Sequence, residues 1–217
     1  TCSYEARVFG LHSAMPMKTA LRLCPQAVLL DVDMKKYRRE SAKIREIFHR
    51  YTDLVEPVSI DEAYLDVTEC KLGLKSATII AHRIQQEIFE KTGLTCSTGI
   101  SYNKFLAKIA SDYRKPDGLC TIHPEQALDF IARLPIESFW GVGPVTAKKM
   151  HLLGIHNGLQ LRKCSLEMLT AHFGKAGALY YECSRGIDER PVEAIRIRKS
   201  IGCERTLERD ISARSSV

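Results

Sequence analysis

The 217 residues carry 32 Lys and Arg against 26 Asp and Glu, a net charge of +6, with 45% hydrophobic and 27% charged residues. That is ordinary globular composition, sufficient for one large or two to three small folded units, and it excludes disordered and collagen-like classes. No apolar run approaches the ~18 residues of a membrane span, and the opening Thr1-Cys2-Ser3-Tyr4-Glu5-Ala6-Arg7 has neither the basic start nor the apolar stretch of a secretory signal.

With no initiator Met, the chain is expected to start inside a longer protein. After a polar and basic opening, Met15–Pro25 reads as a short helix bracketed by Pro16 and Pro25. From Tyr37, the apolar positions Tyr37, Ile44, Ile47, Phe48 and Tyr51 recur at helical spacing with Lys, Arg and Glu opposite. A short strand then leads into Ser59-Ile60-Asp61-Glu62, and Ala63–Val67 reads as the returning strand. A second amphipathic helix carries Ala77, Ile80, Ala81, Ile84 and Ile88. It precedes a strand at Leu94–Ser101, a helix over Asn103–Tyr113, a turn at Lys115-Pro116-Asp117-Gly118 and a strand at Leu119–Ile122. This order predicts an α+β fold with an antiparallel sheet and helices on one face.

After His123-Pro124 the pattern changes to short helices with glycine joints, predicting a separate small all-α domain to about Asp188. Within it, Leu134–Met150 reads as helix, tight Gly141-Val142-Gly143 turn, helix: a helix-hairpin-helix pattern. Glycines let backbone approach a phosphate, the next helix offers free N–H groups to it, and Lys148 and Lys149 add a sequence-independent attraction. A plain turn between packed helices gives the same pattern. Phe173-Gly174-Lys175-Ala176-Gly177 is a looser case that reads first as a structural turn. Glu189–Ser200 has no apolar period and looks like a basic tether. From Glu189 to the end there are seven Lys/Arg and five Asp/Glu, with Arg196, Arg198 and Lys199 clustered to suit a DNA backbone or simply a solvated linker. Residues 201–217 read as the start of a further domain.

The eight cysteines never reach a C-x-x-C spacing, so reduced thiols are expected and neither a zinc site nor a redox pair; the seven histidines are scattered and carry no role. The adjacent acids Asp61 and Glu62 are more informative. On a regular strand they would face opposite sides, whereas at a hairpin apex both carboxylates can converge on one divalent cation. A solvated acidic turn is the bland alternative. Ile60, Ala63, Leu65 and Val67 place the pair in an apolar hairpin, where charge demands a neutralising partner. Asp66, further along the strand, fits an edge or structural role.

Ser59-Ile60-Asp61-Glu62-Ala63-Tyr64-Leu65-Asp66 resembles the palm hairpin of the Y-family, lesion-bypass DNA polymerases, in particular their bacterial members. Other segments resemble the same family in register. They are Thr1–Arg7 with Phe9-Gly10-Leu11 for the fingers, Gly99–Ser111 with Lys115-Pro116-Asp117-Gly118 for the late palm, Gly141-Val142-Gly143 for the thumb, and Arg198-Lys199-Ser200-Ile201-Gly202 for the entry to the little finger. The resemblance implies partial fingers over 1–33, a palm over 34–122, a thumb with a helix-hairpin-helix over 123–188, a tether over 189–200 and the start of a little finger over 201–217.

It further implies that Asp61 binds Mg²⁺, that Glu62 is the catalytic carboxylate and shares the metal site, and that two Mg²⁺ ions serve the complete enzyme. Thr1, Tyr4, Arg7 and Lys115 would hold the triphosphate of the incoming dNTP, and Gly141, Gly143, Lys148, Lys149, Arg198 and Lys199 the primer–template DNA. Taken singly, Arg7 and Lys115 could be ordinary surface charge, and Tyr4 a packing residue. A cytoplasmic monomer is expected, with no membrane contact and with a sliding clamp among its partners through residues beyond this chain's end. The family's palm also begins with a strand bearing a further metal-binding Asp and a bulky residue that excludes ribonucleotides. Neither lies in these residues, so the chain alone is expected to be inactive. A nucleotide cyclase with a palm-like sheet and a non-catalytic DNA-binding module are the rival readings.

Overall fold

Helix-forming stretches alternate with very short strands along the chain, and the computed structural model describes residues 1–195, 200–202 and 204. Arg198 and Lys199, like nearly all of the expected little-finger segment, lie outside the described residues. By its contacts the chain separates into two compact units, with the boundary between Arg39 and Glu40.

The first unit holds α1 (Tyr4–Arg7) and α2 (Met17–Leu23). Ser3 caps α1 by accepting from the Ala6 N–H at 3.3 Å. Pro16 and Cys24 flank α2, as the bracketing prolines predict. Leu11 and Cys24 are buried, whereas Val28, Leu30 and Val32 are almost fully exposed. Helix α3 (Met34–Tyr51) begins here and continues across the boundary.

In the second unit, α3 delivers Ile47 and Tyr51 to a core completed by Ile80, Ile84 and Ile88 of α4 (Ala77–Thr92). Those positions recur every three to four residues, which is why one stripe of each helix is apolar. Ser76 caps the start of α4, and Gly93, at φ +69, ends it in the left-handed conformation. The Tyr51 hydroxyl bonds Glu87, which Arg50 also grips at 2.8 Å, so the two helices are tied at the edge of their core.

Strands β1 (Val55–Pro57) and β2 (Ala63–Leu65) form the expected antiparallel hairpin, Val55 opposite Leu65 and Pro57 opposite Ala63. Strands β3 (Thr98–Ile100) and β4 (Leu119–Thr121) make a second two-stranded sheet, and here the antiparallel expectation is corrected: the pair is parallel. The reason is the connection. Helix α5 (Lys104–Tyr113) crosses between the two strands, and a crossover returns the chain in the same direction. The strand expected over Leu94–Ser101 shrinks to three residues, since Gln85 Nε2 takes the Cys96 carbonyl at 2.8 Å that a ladder would have used.

Beyond β4 come α6 (Pro124–Arg133), α7 (Pro144–Leu152), α8 (Gly158–Lys163), α9 (Leu166–Phe173) and α10 (Lys175–Cys183). Their buried side chains Ala127, Ile131, Met150, Leu161, Leu169 and Tyr180 join Phe105, Leu106 and Ile109 of α5 in one continuous core. No described helix is long and apolar enough to cross a membrane. The cysteines among the described residues are free.

Candidate active site and nucleic-acid interface

The acidic pair sits where the sequence pattern puts it, at the closed end of the β1–β2 hairpin. The backbone folds over there because the N–H groups of Val58 and Ser59 both donate to the Glu62 carbonyl, at 2.9 and 3.2 Å. Asp61 is exposed, and its Oδ1 accepts the Ser59 hydroxyl at 2.6 Å. Ser41 of α3 donates to the Ile60 carbonyl at 2.5 Å and steadies the loop from behind. Asp61 and Glu62 line the same small cleft with Ile44, Phe48, Ile60 and Ala63. Asp66 does what its position suggested: it accepts from the Thr68 N–H at 3.0 Å and closes a local turn.

Glu62 has a partner that the sequence pattern did not flag. Lys108 of α5 places its Nζ 2.7 Å from Glu62 Oε1 and 3.5 Å from Asp112 Oδ2. Asp112 in turn holds the Lys115 amine through Oδ1 at 2.6 Å. Burial works against the Lys108 charge, but the hydrogen bond to Glu62 and the Asp112 carboxylate outweigh it, and its pKa is raised. Lys104, one turn earlier, bonds Glu56 Oε2 at 2.5 Å and lies over the Tyr64 ring at 5.1 Å. The available signal was the spacing: Lys104, Lys108 and Asp112 recur every four residues along one face of a helix that follows a strand, and Lys115 lies just beyond its end.

Tyr4 and Arg7 come together within the first unit, the guanidinium 5.3 Å from the ring centre, on the short helix that Ser3 caps. Thr1 reaches Ser13 through its hydroxyl at 3.3 Å. Among the described residues no group of three or more His, Cys, Asp or Glu side chains is placed to hold a metal ion. Asp61 and Glu62 put two carboxylates, both hard oxygen donors by type, on the cleft at the hairpin end. That suits an ion which typically takes one or two carboxylates and completes its shell with water and phosphate.

In the helical half, the expected first helix of the hairpin motif is only a 3-10 turn, Ile136–Ser138, since Pro135 fixes its entry and Phe139 turns away to fill the core. The Gly-x-Gly turn is present. Gly141 stands at φ +85, a conformation that a side chain resists, and its carbonyl accepts the Tyr180 hydroxyl at 3.1 Å. Gly143 caps α7 with an ordinary extended backbone, and a Cβ added there would meet nothing within 4 Å. Among the described residues, no packing demands glycine at that position. Lys148 and Lys149 are both exposed on α7, but the Lys149 amine bonds the His172 carbonyl and lies 5.0 Å from the Phe173 ring centre, so it also fastens α7 to α9. At Gly177 the bland reading holds: a Cβ would fall 2.1 Å from the Leu169 carbonyl, so this glycine packs α10 on α9.

A second group missed by the sequence pattern ties residues 188–190 to α5. Asp188, its side chain 1% exposed, accepts from Arg190 Nε at 2.6 Å, Arg190 Nη2 at 2.8 Å and the Phe105 N–H at 2.8 Å. Arg190 lies 5.0 Å from the Trp140 ring centre.

A mixed α/β stretch with an acidic hairpin end, followed in the same unit by a helical stretch with a glycine turn, is similar to solved Y-family polymerases. The Sulfolobus solfataricus structure described as DinB is similar at a TM-score of 0.82 and 36% identity, over 88% of this chain and 57% of that one. The insertion ternary complex of Dbh DNA polymerase is similar at 0.81 and 35%, over 88% and 56%. Residues 1–112 match the impB/mucB/samB family and residues 124–155 the IMS family HHH motif. The chain belongs to the impB/mucB/samB family, and with it to the DinB-type Y-family group that its motifs resemble. The DNA polymerase IV of Bacteroides fragilis (strain YCH46) is 67% identical over 99% of this chain and 59% of its own length. That of Akkermansia muciniphila is 59% identical over 97% and 58%. The chain thus spans under three fifths of the length of these curated relatives.

Proposed function

We propose that this chain carries much of the catalytic half of a template-directed, lesion-bypass DNA polymerase of low fidelity, one that adds dNTPs to a primer by nucleotidyl transfer. The observation that carries the reading is the hairpin end: two adjacent carboxylates, Asp61 open to solvent and Glu62 neutralised by a lysine on the neighbouring helix. Residues 1–33 are read as fingers, 34–122 as palm, 123–188 as thumb, 189–200 as tether and 201 onward as little finger.

Asp61 and Glu62 are the residues to hold Mg²⁺. Two such ions, when bound, would supply activation of the primer hydroxyl and stabilisation of the departing pyrophosphate. The chain's own groups do the rest. The hairpin loop fixes the two carboxylates, because both bonds to the Glu62 carbonyl lock the backbone on which they stand. By the family resemblance, Thr1, Tyr4, Arg7 and Lys115 are assigned to the triphosphate. A planar guanidinium and a compact ammonium suit its oxygens and offset charge that grows in the transition state. Gly141 and Gly143 bring the start of α7 to a DNA phosphate, with Lys148 and Lys149 adding attraction. Arg198 and Lys199 are assigned to the same backbone further along.

Primer–template DNA and the incoming dNTP are the partners. By family likeness, a sliding clamp reached through residues outside this chain, a monomeric state and the cytoplasm complete the picture. The match of residues 124–155 to the helix-hairpin-helix motif counts against a cyclase, which has no duplex to grip. The acidic hairpin counts against a purely DNA-binding module. The test is primer extension by this chain completed to the length of its relatives. Asp61→Ala and Glu62→Ala should each lower the rate by about a thousandfold or more, the loss expected for a residue that acts on charge in the transition state. Undiminished extension by either would refute the assignment.

A further inference from the structure

Glu62 is not a free carboxylate waiting for a cation. Its Oε1 is 2.7 Å from the Lys108 amine, which is 21% exposed, while Glu62 is 40% exposed. A partly buried ion pair with good geometry is far from negligible, and an arriving divalent ion meets both the pair and the positive charge beside it. Lys108 already leans toward a second acceptor, Asp112 Oδ2 at 3.5 Å, one turn along the same helix. Asp112 has a further tie besides Lys108, because its other oxygen lies 2.6 Å from the Lys115 amine. A lysine has three donors on a flexible stem, so the transfer needs only a small swing of the amine.

We propose that Lys108 is a positioning residue that occupies Glu62 in the absence of metal and is received by Asp112 when a divalent cation takes the carboxylate. The inference rests on the metal-site reading above. It explains how an acidic group in an apolar hairpin stays paired in both states: Lys108 neutralises it before the cation arrives and leaves without becoming an unpaired charge itself. Without Asp112 the displaced ammonium would remain near the cation and oppose it.

The experiment is Mn²⁺ binding without DNA or nucleotide, read from the electron paramagnetic resonance of the free ion, on the full-length protein carrying these residues. Glu62→Gln tests the underlying reading first: Mn²⁺ affinity unaffected by it means that Glu62 is no ligand, whatever Lys108 does. Given a Glu62-dependent site, Lys108→Met should tighten Mn²⁺ by about three- to tenfold, because the competing charge is gone. Asp112→Asn should weaken it by about two- to fivefold, and in the Lys108→Met background should change it by less than about twofold, since Asp112 acts through Lys108. Lys108→Arg, which keeps charge and reach, should bind as wild type does within about twofold. A purely structural role for Lys108 predicts weaker, not tighter, binding in Lys108→Met, and that result overturns the proposal. So does an Asp112→Asn effect of equal size in both backgrounds, which would mark simple through-space charge.

Discussion

Gly99 stands at the middle of β3 because α5 leaves no room for anything else: a Cβ there would lie 2.0 Å from the Ala107 carbonyl and 2.3 Å from the Ser111 nitrogen. Both obstacles are backbone, so neither can rotate aside. Gly99→Ala should therefore cost about 3 kcal/mol or more, since overpacking that forces backbone shifts usually costs 1–3; the urea midpoint of unfolding measures it. Gly141→Ala differs in kind. Open space surrounds its Cβ position, and only the left-handed backbone at φ +85 resists, so a loss of about 1–2 kcal/mol is expected. The sequence showed both as glycines in loops or strands, and only the coordinates separate a steric demand from a conformational one. The acidic pair was legible for the opposite reason: strand, two acids and returning strand are a local pattern that needs no distant partner to be read.

Among the elements, α5 does most to organise the site. Asn103 caps it by accepting from the Leu106 N–H at 2.9 Å, and its Nδ2 donates to the Gly186 carbonyl at 2.9 Å. Asn103→Ala should cost about 2 kcal/mol, one for the cap and one for the long-range bond. Asn103→Asp keeps the cap and should recover about half; complete recovery in thermal melts would show that the Gly186 bond contributes nothing. Helix α7 makes a separate prediction. DNA affinity should fall as salt rises, and Lys148→Ala should reduce the slope of that dependence by about one, the value for one phosphate contact. A slope unchanged by Lys148→Ala would remove that contact. Lys149→Ala should in addition lower the melting temperature, because its amine fastens the His172 carbonyl. The sequence pattern located both helices, but it treated Lys148 and Lys149 as equals and could not show that Lys149 also fastens α7 to α9.

Across the second unit, residues 186–193 are pinned to α5 and β1 by groups far apart in the chain. Tyr102 and Asn103 hold the Gly186 carbonyl, Lys104 holds the Pro191 carbonyl at 2.9 Å, and the Glu193 N–H donates to Glu56 at 2.8 Å. Asp188 anchors this seam. Burial alone would raise its pKa, but the Arg190 guanidinium and the Phe105 and Arg190 N–H groups outweigh burial and bring it below the ordinary 3.8. A depressed carboxylate contributes stability that is complete above its unfolded-state pKa and is lost as pH falls through the lower folded-state value. Unfolding free energy should thus decline below pH 3.8 in the wild type and less steeply in Asp188→Asn, which should also be less stable at neutral pH by about 2–4 kcal/mol. Equal slopes in acid would show that Asp188 does not carry the effect. By itself the sequence determined the order of elements, the acidic hairpin, the glycine turn and the family likeness, because each is written in spacing over a few residues. Tertiary structure alone decided that β3 and β4 run parallel, that α5 shares a core with the helical half, and that Glu62 answers to Lys108 and Asp188 to Arg190 and Phe105. The contacts of Glu62 with Lys108 and of Asp188 with the Phe105 N–H join residues 46 and 83 positions apart, so they depend on which elements meet once the core has closed.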